Sequence, residues 1–160
     1  MFIRALIVTT ILASSAASLA AQGGGAHANN PYIGTWIEDT QRTTYGAGQK
    51  PPILNMHKWE VWDGDGMKAT IVIVDAEGAQ RRSSYYLKFD GNWYPVVDED
   101  RRDAIRSRRV DAFTFENHSR LHGKGGSEGP GGRHVFSKDG QTMTLVSAEG
   151  TPGRVYKKVF

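Results

Sequence analysis

From residue 34 onward, apolar and polar positions alternate in short runs broken by turn signals, and no stretch carries a helical period of useful length. Ten runs read as strands: residues 34–45, 54–62, 67–75, 80–89, 93–97, 104–110, 113–121, 133–137, 142–147 and 154–160. Between them lie DGDG at 63–66, DAEGA at 75–79, DGN at 90–92, VDA at 110–112 and KDGQ at 138–141. Asp-Gly steps favour tight hairpins, because glycine takes positive φ without a Cβ clash. The one segment with a hint of helix, DEDRRDAIRSRR at 98–109, has too few apolar residues to bury a face. Many short strands joined by short turns predict an all-β fold. A meander with no long return connection predicts an antiparallel up-and-down β-barrel of about 8–10 strands, which leaves no sheet edge exposed.

Alternation also predicts faces. Tyr85, Leu87 and Phe89 share one side of their strand, opposite Arg82, Ser84 and Lys88. Phe113, Phe115 and Leu121 share another, with Asn117 and Ser119 between them, while Glu116, His118 and Arg120 take the opposite side. Trp59 and Val61 are assigned inward, as are Met143 and Leu145. The run around Ile71 and Ile73 is apolar on both faces, which suits a central or covered strand.

Ahead of this region the pattern changes. Residues 1–20 carry one positive charge at Arg4, an apolar run, and the small-x-small step Ser18-Leu19-Ala20, the order of a secretory signal peptide cleaved after Ala20, with Ala21 as the alternative point. The competing reading, a membrane anchor, needs about 20 strongly apolar residues, and the stretch from Ser14 to Ser18 dilutes the run. Residues 21–31 are Gly-rich and polar and read as a flexible leader. Residues 32–160 then form one domain, exported to the periplasm or beyond the cell, with no stable membrane span after cleavage.

Composition narrows the function classes. Loss of Arg4 with the signal peptide takes the net charge from +3 to +2, too small a balance to point to nucleic acid. Cysteine is absent, so the fold rests on its core and not on disulfides.

The residues that carry a resemblance are the GTW step at 34–36, KFDGNWYPV at 88–96, and HVFSKDGQTMTLVSAEGT at 134–151, followed by a terminal strand ending VYKKVF. Their order resembles that of small secreted bacterial lipocalin-like proteins of unassigned function. The resemblance implies that Gly34 and Trp36 open the first strand, that Trp36 plugs one end of the barrel, and that an Arg near the last strand, here Arg154, lies across the indole as part of that structural floor. The Gly-rich loop HGKGGSEGPGG at 122–132 and the Arg-rich segment before it depart from the pattern.

Three features remain as candidate chemistry. The first is the inner wall, with Trp59, Ile71, Tyr85, Phe115 and Leu145 as the residues expected to contact a small apolar or amphipathic ligand. Trp62, Phe89, Trp93 and Phe113 join them in an aromatic set that either lines a cavity or packs as core. The second is RRDAIRSRR at 101–109, where Arg106, Arg108 and Arg109 are candidates for contact with an anionic partner, because the guanidinium fork suits planar oxyanions. The neighbouring Asp98, Glu99, Asp100, Asp103 and Asp111 offer local neutralisation instead. The third is His118, His122 and His134 around the Gly-rich loop, a set without a metal-binding spacing motif, in which alternation turns His118 outward.

DGDG at 63–66 fails as a calcium loop, because the twelfth position is Val74 where a bidentate Glu belongs. No G-x-S-x-G elbow occurs, and no catalytic residue, metal or cofactor is assigned. The leading expectation is therefore a non-catalytic ligand-binding barrel. The alternatives are a packed, envelope-associated interaction protein using its Arg-rich segment, and a small barrel enzyme or metal binder using loop histidines.

Overall fold

The computed structural model describes residues 30–123, 126–129 and 131–159. The expected signal peptide, and the leader up to residue 29, lie outside the described residues. Ten strands follow in order: β1 Gly34–Glu38, β2 Leu54–Trp62, β3 Gly66–Val74, β4 Gln80–Leu87, β5 Tyr94–Val97, β6 Arg102–Arg109, β7 Thr114–Leu121, β8 Gly132–Phe136, β9 Thr142–Ser147 and β10 Pro152–Lys158. Every strand pairs antiparallel with its neighbours in sequence, and β1 pairs with β10, so the sheet closes on itself. The up-and-down barrel expected from the turn spacing is the observed fold. No helix among the described residues is long and apolar enough to cross a membrane.

Strand boundaries follow local chemistry. β1 stops at Glu38, seven residues short of the expected end, because the Asp39 carbonyl accepts from the Arg42 and Thr43 amides and winds the chain into a turn. The hairpin between β2 and β3 is tight enough that a Cβ on Gly66 would lie 2.6 Å from the Trp62 carbonyl oxygen, so only glycine fits there. Gly34 enters β1 at φ 140°, a region open in practice to glycine alone, and this lets the chain turn from the barrel end into the wall.

Alternation places Trp36, Trp59, Met67, Leu87, Phe115, Phe136 and Met143 in one core, each 3% exposed or less. Burying such side chains contributes about 1.5–3 kcal/mol each. Val61, expected inward with Trp59, is instead 42% exposed, since it sits next to the last residue of β2, beside the turn at the rim of the barrel. Trp62 and Trp93 also leave the expected aromatic set. Trp62 packs on Tyr86 and Tyr94, with centroids at 4.8 and 6.0 Å, and the Arg106 guanidinium lies 5.0 Å above the Trp93 ring.

Candidate functional site

A ten-strand barrel is wider than side chains alone need to fill, and here its two ends solve the problem differently. At the end where β1 begins, Tyr32 folds across the opening, 1% exposed. Its hydroxyl donates to the carbonyls of Asp111 and Ala112 at 3.3 and 3.2 Å, and the Trp36 Nε1–H donates to the Tyr32 carbonyl at 3.1 Å. Beneath it, edge-to-face contacts link Tyr32 to Phe115, Trp36 to Phe136 and Trp59 to Phe115, with centroids at 5.2, 5.3 and 5.5 Å. These geometries suit the ring quadrupoles. This half is a solid aromatic plug.

The other half holds a cavity of about 610 Å³, within the range of small-molecule sites. Ile71, Tyr85, Ile105 and Leu145 line its apolar side, and Asn55, His57, Ser83, Asn117 and His134 its polar side. His134 stacks on Phe115 at 4.6 Å with an interplanar angle of 11°, so it rests against the plug, and His57 packs against Tyr156 in the cavity wall at 4.6 Å. Burial, reinforced by the positive charges of Arg102 and Arg154, brings the His57 pKa down to about 3. Burial, with His57 and Arg102 nearby, does the same to His134, also to about 3. Both rings are therefore neutral near neutral pH. Burial pushes the Tyr85 phenol up to about 12, so it too stays uncharged.

Toward the open end, two of the arginines are paired with acids. The Glu38 side chain, 1% exposed, accepts from Arg154 Nη1 and Asn55 Nδ2 at 2.7 Å each and from the Tyr45 hydroxyl at 2.6 Å. Arg102 pairs with Glu99 at 3.2 Å. Its inward direction follows from a register shift between Arg102 and Ala104, which re-aims a side chain that plain alternation sends outward. Arg81 and Arg101 also line the opening, and neither makes an ion pair among the described residues.

Of the five expected ligand contacts, Ile71, Tyr85 and Leu145 line the cavity. Trp59 and Phe115 are buried in the plug, at 1% and 0% exposure, because two inner layers of the barrel are needed to pack its closed end. The expected floor is half changed. Gly34 and Trp36 hold their places, but the cation over the Trp36 ring is Lys158, with Nζ at 5.3 Å, and not Arg154. The register explains this: Trp36 pairs with Lys158, whereas Arg154 lies four residues along β10, beside Glu38 and above the Tyr45 ring at 5.9 Å.

Three of the five arginines in the Arg-rich segment are ion-paired: Arg102 with the neighbouring Glu99, as local neutralisation predicts, and Arg106 and Arg108 with acids from elsewhere in the chain. Arg106 pairs with Glu128 at 2.9 Å, Arg108 with Glu116 at 2.6 Å, and Arg109 lies 4.7 Å above the Phe89 ring. The Arg108 hydrogen bond holds the Glu116 carboxyl below its ordinary range. The three loop histidines do not share a face: His134 is interior, His118 contacts Glu128 at 2.6 Å on the outside, and His122 is exposed. Among the described residues no group of three or more His, Cys, Asp or Glu is placed to hold a metal ion.

His57, Asn55 and Glu38 escaped the sequence reading. Their shared parity with Trp59 and Trp36 was the available signal: on an inward face, a polar residue marks either a buried network or a site.

A closed antiparallel meander with one plugged end and one hollow end defines a lipocalin-like barrel. Comparison with solved structures gives the same fold. Two mutants of the fluorescent protein UnaG match with TM-scores of 0.53 and 0.50, each 16% identical, covering 81% of this chain and 97% of theirs. No protein-family model and no curated protein matches the sequence.

Proposed function

We propose that this chain is an exported, non-catalytic carrier or sensor barrel that holds one small amphipathic molecule in its open half. The observation that carries the reading is the cavity of about 610 Å³, apolar along Ile71, Ile105 and Leu145 and polar along Asn55, His57 and His134. A packed barrel has no such space, and the pairing of Arg106 and Arg108 with Glu128 and Glu116 leaves less free charge for an anionic partner. Export to the periplasm or the medium rests on the pattern of residues 1–20.

Native mass spectrometry of the protein purified gently from its own host tests the reading. A reproducible added mass that is lost on denaturation supports it, and also gives the ligand's identity. A clean apo mass, together with failure to take up any of a panel of apolar molecules, removes it. The N-terminal sequence of the same sample tests cleavage after Ala20.

A further inference from the structure

The polar side of the cavity has an unusual charge balance. Arg154 on β10, which lines the cavity, already has its counter-ion in Glu38, whose buried carboxylate accepts from Tyr45, Asn55 and Arg154 together. Asn55, 3% exposed, is fixed in orientation by two contacts: its Nδ2 donates to Glu38 Oε2 at 2.7 Å and lies 3.0 Å from the Tyr156 hydroxyl. A carboxylate only accepts, so the amide nitrogen must face it and the oxygen is turned away.

That oxygen, Asn55 Oδ1, has no hydrogen-bond partner among the described residues. The Nδ1 atoms of His57 and His134, 6% and 9% exposed, have none either. All three residues line the same cavity. Buried polar atoms left unpaired are costly, and such groups in a cavity wall mark what an occupant must supply.

We propose that the cavity selects an apolar molecule carrying a neutral hydroxyl or N–H group, whose hydrogen is accepted by Asn55 Oδ1 while its heteroatom faces the His57 and His134 imidazoles. The inference rests on the ligand-binding reading above and names the chemistry of that same site. A carboxylate is the wrong group at this seat, because it brings no hydrogen to Asn55 Oδ1. An ether oxygen also lacks the hydrogen. A hydroxyl supplies a donor for the amide oxygen and an acceptor for an imidazole N–H, and a neutral imidazole has one N–H and one lone pair to offer.

The test compares octanol, methyl heptyl ether with the same atoms rearranged, and octanoate, each titrated calorimetrically into the delipidated protein near neutral pH. Octanol is expected to bind about tenfold more tightly than the ether, the usual net worth of one buried hydrogen bond, and more tightly than octanoate by at least as much. Asn55→Leu is expected to abolish the preference for the alcohol while the ether still binds. The comparison on the unaltered chain stands whether or not that variant folds. Equal binding of alcohol and ether, or tighter binding of octanoate, overturns the donor inference and leaves ligand binding intact. Uptake of none of the three by folded protein overturns the ligand-binding reading itself.

Discussion

Glu38 on the first strand and Arg154 on the last hold each other at 2.7 Å beside the seam where the barrel closes. Glu38 is buried and Arg154 is 41% exposed, so the pair lies between the surface and interior limits. Arg154→Met, which strands the carboxylate, is expected to cost about 1–3 kcal/mol. Adding Glu38→Gln to that variant should recover part of the loss. Urea midpoints for the three variants check the coupling, and simple additivity would show that the pair does not act as one unit.

The two cavity histidines make stability depend on pH. In the folded state both titrate at about 3, against 6.5 in the unfolded chain. Between those values the unfolded chain binds the protons, so stability falls as pH drops below 6.5 and levels off once the folded rings protonate. The expected loss is about 2 kcal/mol for each histidine between pH 6.5 and pH 5. His57→Gln and His134→Gln should each flatten the slope of urea midpoint against pH; an unchanged slope in both would place the acid sensitivity elsewhere.

Cavity and plug predict opposite mutant behaviour. Leu145→Trp projects a large ring into the hollow half and is expected to reduce ligand uptake at least tenfold with little change in melting temperature. Phe115→Ala removes the centre of the plug and is expected to cost about 3–5 kcal/mol, seen as a lower melting temperature. Uptake retained by the Leu145 variant would argue against the cavity as the binding place.

Lys158 and Trp36 test the register. Lys158→Ala is expected to cost about 0.5–1 kcal/mol and to shift the Trp36 emission, since it removes the cation above the indole. Arg154→Ala should leave that emission unchanged. The reverse pattern would mean that the last strand is out of register by a full inner layer or more.

On the outer face, Arg106→Ala and Arg108→Ala should each change stability by less than about 1 kcal/mol, as exposed ion pairs do. Both should leave uptake of uncharged ligands unaltered in titration calorimetry.

The fold was legible because its signals are local. Asp-Gly turns and period-two alternation are written within ten-residue windows, and β2 and β9 run over the very residues their patterns marked. What escaped depends on strands far apart in the chain. Lys158 takes the place expected of Arg154 because of the offset between β1 and β10, which no single strand encodes. Trp59 and Phe115 face inward as expected, yet which inner layers fill and which stay hollow depends on Tyr32 folding across one end. The β6 bulge reversed the direction of Arg102, and a bulge leaves no clear trace in a run as polar as RRDAIRSRR. The polar wall is written in the alternation of β2, where Asn55 and His57 share a face with Trp59.

The plug at the Tyr32 end sets the traffic through the molecule. With that end packed shut, exchange must run through the opposite opening, where Arg81 and Arg101 stand without ion-pair partners among the described residues. Guanidinium groups at an entrance act on the approach and not on the final complex, so they raise the association rate of molecules with a negative end and are screened by salt. An alcohol held by neutral hydrogen bonds would then enter at a rate independent of ionic strength, whereas a molecule with a negative end would arrive faster at low salt and gain nothing at the seat. Selection at the threshold and selection at the seat would thus be separate properties of one barrel, open to separate change.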